Sequence, residues 1–422
     1  MRKIIVQKFG GTSVADTEKI KNVAKTVIRE KENGNDVVVV VSAMGHTTDY
    51  LVKMAKDLSP NPSSREMDML LSTGEGVSIA LLAMAIQAQG YDAISFNAMQ
   101  IGIMTENIHS KARIIDIKTD KLKENLKQGK IIVVAGFQGV TEDGEITTLG
   151  RGGSDTSAVA LAAALNAERC DIYTDVEGVY TTDPRVVPNA SRLDEISYEE
   201  MLELAHAGAN VLHPRSVETA KQFNVPMRVR SSFKLDNLGT LILGVDKMEI
   251  YKPVAGVAAD LSQARIVVCD VPDKPGVAAK LFSKLAKENI SVDMIIQSYA
   301  RKVSNTNDIA FTVDASDLPK TVEALDALKA EIGATGDIQV DENIAKVSIV
   351  GAGMIDRPGV ASTMFETLAE QGINIRMIST SEIKISCLVD KDQAQKAVKA
   401  LHEVFELESS EIAEVKGDLP NI

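Results

Sequence analysis

Ile4-Ile5-Val6-Gln7-Lys8-Phe9-Gly10-Gly11-Thr12-Ser13 runs an apolar strand straight into a paired-glycine turn that carries a lysine. Glycines let backbone N–H groups approach an anion with no Cβ in the way, and the ammonium adds a compact point charge. Read alone, the stretch is either hardware for holding phosphate or a tight structural connection. It is not the common P-loop, because the sequence contains no G-x-x-x-x-G-K-S/T string. A second loop of the same kind follows at Gly150-Arg151-Gly152-Gly153-Ser154-Asp155, just before an alanine-rich helical pattern.

Around these loops, up to about residue 245, short β-branched runs alternate with longer helical patterns, which is how a parallel sheet covered by helices reads. Strands are expected at 4–6, 37–42, 93–96, 131–135, 171–174, 225–229 and 240–243. Helices are expected at 17–30, 77–89, 111–127, 156–166, 198–205 and 215–223. Val37 to Val41 is an unbroken valine run; only a strand buried on both faces has reason to lack polar alternation.

Beyond Met248 the pattern changes to a repeat. Asp273-Lys274-Pro275-Gly276-Val277-Ala278 returns 83 positions later as Asp356-Arg357-Pro358-Gly359-Val360-Ala361, and the match continues through Phe282 with Phe365, Leu285 with Leu368 and Met294 with Met377. An offset of that length is a duplicated domain rather than a solenoid unit. Each copy reads strand (265–271, 345–351), Pro-Gly turn, amphipathic helix (277–287, 360–370), two strands and a second helix. The fold expected is therefore α/β, a three-layer αβα sandwich with a mostly parallel sheet over 1–247, followed by two small α+β domains at 248–340 and 341–422.

Composition narrows the function. A chain of 422 residues needs more than one core. Its net charge of −13 argues against nucleic acid or an anionic membrane as partner, so any phosphate site must be locally basic. The three cysteines, Cys170, Cys269 and Cys387, form no C-x-x-C pair, and the five histidines lack ligand spacing, so neither a disulfide framework nor a metal-ligand set is expected. With no apolar signal core and no run near the ~20 residues that span a bilayer, the chain is expected to be cytoplasmic.

Ligands of an open parallel sheet bind at the carboxyl ends of the strands, where the loops after the expected strands gather. They are Lys8 to Ser13, then Ser42-Ala43-Met44-Gly45-His46-Thr47-Thr48, then Gly136-Phe137-Gln138-Gly139, then Gly150 to Asp155. Ser154 or Asp155 is expected to cap a helix starting near Thr156, whose N-terminal dipole favours an anion; the other polar side chain stays free for a substrate ammonium or a metal. Arg151 offers a planar fork for carboxylate or phosphate. Glu75, between Gly74 and Gly76 at a helix start, reads either as dipole complement or as ligand. Thr174-Asp175 leads into the turn-rich stretch to Arg185, suited to a nucleotide base and ribose or to a surface loop.

Taken in order, these stretches resemble the aspartate kinases of the amino-acid-kinase family over essentially the whole chain, and the repeat resembles paired ACT domains. The resemblance implies transfer of the ATP γ-phosphoryl group to the side-chain carboxylate of L-aspartate, with Mg²⁺, as the first step towards lysine, threonine and methionine. It places ATP at Lys8, Phe9, Gly10, Gly11, Thr174, Asp175, Tyr180, Asp183, Pro184 and Arg185. Aspartate falls to Ser42, Thr48, Glu75, Phe137, Arg151, Gly152, Gly153, Ser154 and Asp155, with Lys8, Arg151 and Asp155 catalytic. Lysine, threonine or both are implied as inhibitors at Asp273, Ser291, Val292, Asp293, Gln297, Asn374, Ile375, Ser381 and Glu382. A homo-oligomer is implied, or a hetero-oligomer with a shorter subunit started at Met248. One departure stands out: Phe233 follows Ser231-Ser232 where some members have lysine, so Lys234 is left outside the site. Competing readings are another amino-acid or nucleotide kinase on this fold, a non-catalytic amino-acid sensor, and a dinucleotide enzyme suggested only by Gly351-Ala352-Gly353.

Overall fold

The computed structural model describes residues 2–209, 211–244, 252–299, 301, 305–355 and 357–409. The expected boundary at 247/248, Met248 and Asp356 of the second repeat motif lie outside the described residues. The chain divides into two compact units: one holds the residues up to Pro184 and from Asn189 onward to the boundary region, the other holds Arg185–Pro188 and Lys252–Glu408.

The first unit is built on an eight-stranded sheet. Its spatial order is Glu195–Ser197, Thr240–Leu243, Met227–Ser231, Arg169–Thr174, Ile4–Phe9, Asp36–Val41, Ile131–Ala135 and Ala93–Phe96. The last six run parallel, and Thr240–Leu243 turns back antiparallel on Met227–Ser231. Val37 to Val41 are fully buried, as the unbroken run requires. On one face Phe9, Val39 and Val133 pack with Val23 and Val27 of helix Thr17–Glu32 and with Leu82 and Ile86 of helix Thr73–Gln87. Helix Gly153–Leu165 packs against the opening strand, on which Lys8 is out of phase with the core-facing Phe9.

Two expectations are corrected. The helix at 111–127 is a helix only over Asp120–Lys127; Ile114–Ile117 is a strand, paired antiparallel with Ile103–Thr105 in a second, four-stranded sheet that also takes Gln138–Val140 and Ile146–Thr148. Three isoleucines in four residues favour a pleated surface over a helix turn. The helix after the second glycine loop begins at Gly153, with Gly152 as N-cap in the left-handed region and no side-chain cap, so neither Ser154 nor Asp155 caps it. By length and composition alone Ser64–Gln87 would pass for a membrane span. It instead places Ile79, Leu82 and Ile86 in the core beside the sheet, with Asp68 and Glu75 buried on its path.

In the second unit each repeat makes a four-stranded antiparallel sheet with two helices. Ile295–Gln297, Thr306–Asp314, Gln263–Pro272 and Ile338–Asp341 form one; Gly256–Asp260, Ile344–Val350, Lys384–Asp390 and Met377–Thr380 form the other. Gly256–Asp260, placed by the sequence reading within 248–340, is thus hydrogen-bonded into the second copy's sheet. Helices Val277–Lys287 and Val360–Glu370 coincide with those expected. Each starts behind a glycine in the left-handed region, Gly276 at φ 92° and Gly359 at φ 103°, which is why the Pro-Gly turn repeats.

Candidate active site

The loops expected at the sheet edge do converge there. Gly11 lies so close to the second loop that an added Cβ would come 2.9 Å from Ala43 O and 3.0 Å from Gly45 O. Ser13 Oγ and Ser232 Oγ are 2.6 Å apart, tying the opening loop to the end of strand Met227–Ser231. Ser42 Oγ donates to Ser154 Oγ at 2.9 Å, joining the second and fourth loops. Gly136 leaves no room for a Cβ beside Ser154. Phe137 is held at φ 69°, uncommon for a side chain without a local polar group; its N–H donates to Ser157 Oγ and its carbonyl accepts from Leu149.

At the centre Lys8 Nζ stands 2.6 Å from Asp155 Oδ1, both side chains only 12% exposed. The contact is ionic without hydrogen-bond alignment, so Asp155 Oδ1 remains a buried acceptor without a directed donor. Arg151, one turn away at the loop tip, is exposed, and among the described residues it has no ion-pair partner. A cation, a buried carboxylate and an open guanidinium therefore surround one helix N-terminus whose N–H groups lack a side-chain cap.

Glu75 sits 2% exposed in the first turn of its helix. The Ala43 N–H donates to Oε1 at 3.2 Å, and Gln138 Nε2 donates to Oε2 at 3.4 Å and to Ser72 O at 2.5 Å. Burial pushes its carboxyl up to about 7, against the opposing pull of these hydrogen bonds. A carboxyl so poised exchanges its proton near neutrality and gains most from a cation brought to it.

Sequence reasoning missed several partners. His213, N-cap of helix Pro214–Phe223, packs directly on Gly152, where a Cβ would come 2.2 Å from its own; burial and then Arg215 push the imidazole below its ordinary value. No motif around His213 announced this contact. Asp68, fully buried, accepts from Thr148 Oγ1 at 2.6 Å and from the Ser110 N–H at 2.9 Å and meets His109 Nδ1 at 2.9 Å, which braces the strand leading to Gly150. In the Thr174–Arg185 stretch Thr174 Oγ1 donates to Asp175 Oδ1 at 3.0 Å. Lys234, left out by the sequence reading, pairs with Glu177 at 2.7 Å inside the same turn-rich loop. Tyr180 is half-buried beside Glu177, and burial raises its hydroxyl, with Glu177 adding to the shift. Asp183 and Pro184 belong to this unit; Arg185 falls in the other. Thr48 lies in helix Thr47–Leu58, away from the hydrogen bonds above.

In the second unit, of the nine expected effector residues only Asp273 and Gln297 line a cavity of about 180 Å³, together with Lys274, Gly276 and Asn307. Asp293 instead pairs with Lys346 at 2.5 Å, Val292 packs against the first copy's core, and Ser291, Asn374, Ser381 and Glu382 are exposed. Ile375 lies between Asn374 and the strand Met377–Thr380.

Comparison with known proteins gives the class first. The Amino acid kinase family model matches residues 3–231, and ACT domain models match 265–330 and 347–405. An aspartokinase from Bacillus sp. (strain MGA3) is 54% identical over 409 residues, 97% of this chain and 98% of that protein. Aspartokinase III of E. coli in complex with aspartate and ADP, in an R-state, aligns over 95% of this chain and 99% of its own at TM-score 0.81 and 29% identity. Its T-state complex with lysine and aspartate aligns over the same shares at 0.73 and 30%. The chain belongs to the aspartokinases, kinases of the amino acid kinase family with paired ACT domains.

Proposed function

We propose that the enzyme transfers the γ-phosphoryl group of ATP to the side-chain carboxylate of L-aspartate, giving 4-phospho-L-aspartate for the synthesis of lysine, threonine and methionine. The observation that carries this reading is the buried Lys8–Asp155 pair at an uncapped helix N-terminus. The acceptor carboxylate titrates near ~3.9, so it is already ionised and no general base is required. Catalysis reduces to positioning and charge stabilisation. Lys8 swings from Asp155 to the phosphoryl oxygens, the Gly10 and Gly11 amides hold the phosphates, and Arg151 takes the α-carboxylate of aspartate. Glu75 or Asp155 takes its ammonium. The buried acceptor of Asp155 also fits a magnesium ion or its water shell; Mg²⁺, when bound with the nucleotide, offsets phosphate charge. The nucleotide's base and ribose are assigned to Thr174, Asp175, Tyr180, Asp183 and Pro184.

The division into a kinase domain over 1–247 and ACT domains over 248–340 and 341–422 is part of the same proposal, with Gly256–Asp260 lent to the second copy's sheet. Lysine or threonine is proposed to bind the Asp273 cavity and restrain turnover. The uncapped N-terminus of Val277–Lys287 suits an α-carboxylate, while Asp273 and the buried, unpartnered Oδ1 of Asn307 suit an α-ammonium. Assembly with a second copy, or with a shorter subunit, is proposed through the edge strand Ile295–Gln297, whose Ile295 is 49% exposed. The enzyme is assigned to the cytoplasm, without a nucleic-acid or membrane partner. An ADP-release assay with ATP and aspartate, repeated with lysine and threonine singly and together, tests both parts. Turnover with glutamate or UMP but not aspartate would refute the first; unchanged rates under both amino acids would refute the second.

A further inference from the structure

The proposed catalytic loops occupy the carboxyl edge of the eight-stranded sheet, and the first unit also holds a cavity that none of them lines. It measures about 360 Å³ and lies on the core-side face of the sheet, between the last turns of helix Thr17–Glu32 and the strands Arg169–Thr174 and Met227–Ser231. Arg169 opens its strand, and Asn33 and Asn35 precede the next, so the cavity reaches the amino ends of the strands, opposite the catalytic edge.

Four guanidinium groups line it: Arg29, Arg169, Arg228 and Arg230. In a chain of net charge −13 that concentration is anomalous. The acids nearby, Glu30, Asp171 and Asp236, offset it only in part. Glu30 is taken by Arg169 at 3.2 Å and by Asn35 Nδ2 at 2.6 Å, and Asp171 by Arg169 at 2.9 Å. Among the described residues Arg29 meets only Asp236, which is 92% exposed and screened by salt. Arg230 donates to Tyr173 Oη and Leu235 O, stands 3.8 Å from Asp171, and leaves its buried Nε without a partner. Arg228, half-buried, has no ion pair or hydrogen bond among the described residues.

A buried N–H donor without an acceptor costs free energy; Arg230 Nε is such a donor, and the half-buried guanidinium of Arg228 adds an unpaired charge that an anion in the cavity would meet. Guanidinium forks arriving from a helix and two strands suit a tetrahedral oxyanion with several equivalent oxygens, whereas a planar carboxylate is satisfied by a single fork. The volume exceeds one phosphate, and Leu235, Leu238 and the Tyr173 ring give an organic body an apolar wall. We propose that this cavity is a second anion site, separate from the catalytic one, that binds a small phosphate-bearing molecule through Arg228, Arg230 and Arg29.

Calorimetric titration of the full chain with pyrophosphate and with inorganic phosphate tests this, using Lys8→Ala to remove the catalytic phosphate contact. Binding is expected to persist in Lys8→Ala and to weaken about tenfold or more when Arg228→Gln is added, while Arg228→Gln alone keeps wild-type aspartate turnover. Arg29→Gln, on an exposed helix face, repeats the test should Arg228→Gln fold poorly. Loss of all binding in Lys8→Ala, or an unchanged titration in both arginine variants, overturns the proposal. Malonate displacing pyrophosphate at equal concentration would overturn the phosphate assignment.

Discussion

The proposed catalytic loop and the proposed effector cavity use the same local device. In both, a glycine in the left-handed region starts a helix with no side-chain cap, and an aspartate stands within three residues of that glycine: Gly152 with Asp155, Gly276 with Asp273. The difference lies in what faces the aspartate. Asp155 is 9% exposed and meets Lys8, while Asp273 is exposed and meets only the Asn307 amide at 3.2 Å. An uncapped N-terminus with a carboxylate is enough to recognise a zwitterion. In the proposed reaction, a cation that leaves Asp155 for the phosphates, with water excluded, is what would turn recognition into phosphoryl transfer.

Removing the cation should therefore collapse the distinction. Lys8→Ala is expected to lower kcat by about 10³-fold with the fold retained, since the small residue leaves Asp155 free to take solvent. Circular dichroism and steady-state kinetics together check it. A variant near wild-type turnover would remove Lys8 from the chemistry. Gly152→Ala attacks the backbone half of the same site. Its Cβ would collide with His213 at φ 65°, so loss of aspartate binding together with a lowered melting temperature is expected. The equivalent Gly276→Ala has nothing within 4 Å of its Cβ; its cost is conformational alone, roughly 1–2 kcal/mol, and the contrast in thermal stability separates packing from backbone strain.

The parallel sheet was legible because its strands are buried runs of valine and isoleucine, whose burial on both faces leaves little room for another reading. The regulatory repeat was legible because Pro-Gly turns at Gly276 and Gly359 repeat with their helices. The small second sheet was not, since Ile114–Ile117 and Gln138–Val140 are too short to show a period and sit next to helix formers. At the site, Lys8, Glu75 and Asp155 were found through loop chemistry, but His213 and Ser232 reach it by tertiary approach from more than 50 residues away. Capping was misread for a related reason: a polar residue beside a glycine pair looks like an N-cap until the glycine itself takes that place.

The effector half of the comparison breaks at Asp273. Asp273→Ala should raise the concentration of lysine or threonine needed for half-inhibition by about tenfold or more, the effect of losing one charge-assisted contact, with uninhibited kcat unchanged. Equal inhibition of variant and wild type would move the effector elsewhere in the second unit. Asp293→Asn is the control: it breaks the pair with Lys346, outside the cavity, and should leave the response intact.

Glu75 gives the sharpest readout, because its burial bears on both stability and binding. Its carboxyl titrates near about 7 in the folded chain against 4.5 ordinarily, so the native state holds this proton after the unfolded chain has released it. Stability is therefore undiminished below pH 4.5, falls as pH rises from 4.5 to 7, and above 7 carries the full cost of a buried carboxylate, on the order of 3 kcal/mol as an upper bound. Glu75→Gln keeps an acceptor for the Ala43 N–H and removes the charge. Urea denaturation should show wild type losing stability between pH 5 and 8 relative to the variant. Kinetically the sign reverses: the ionised form is the one that attracts an ammonium. For wild type, kcat/KM for aspartate should drop about tenfold per pH unit below 7, and Glu75→Gln should be low and flat across that range. A variant with the wild-type inflection would show that Glu75 serves only the fold, and Asp155 alone would then hold the substrate's ammonium.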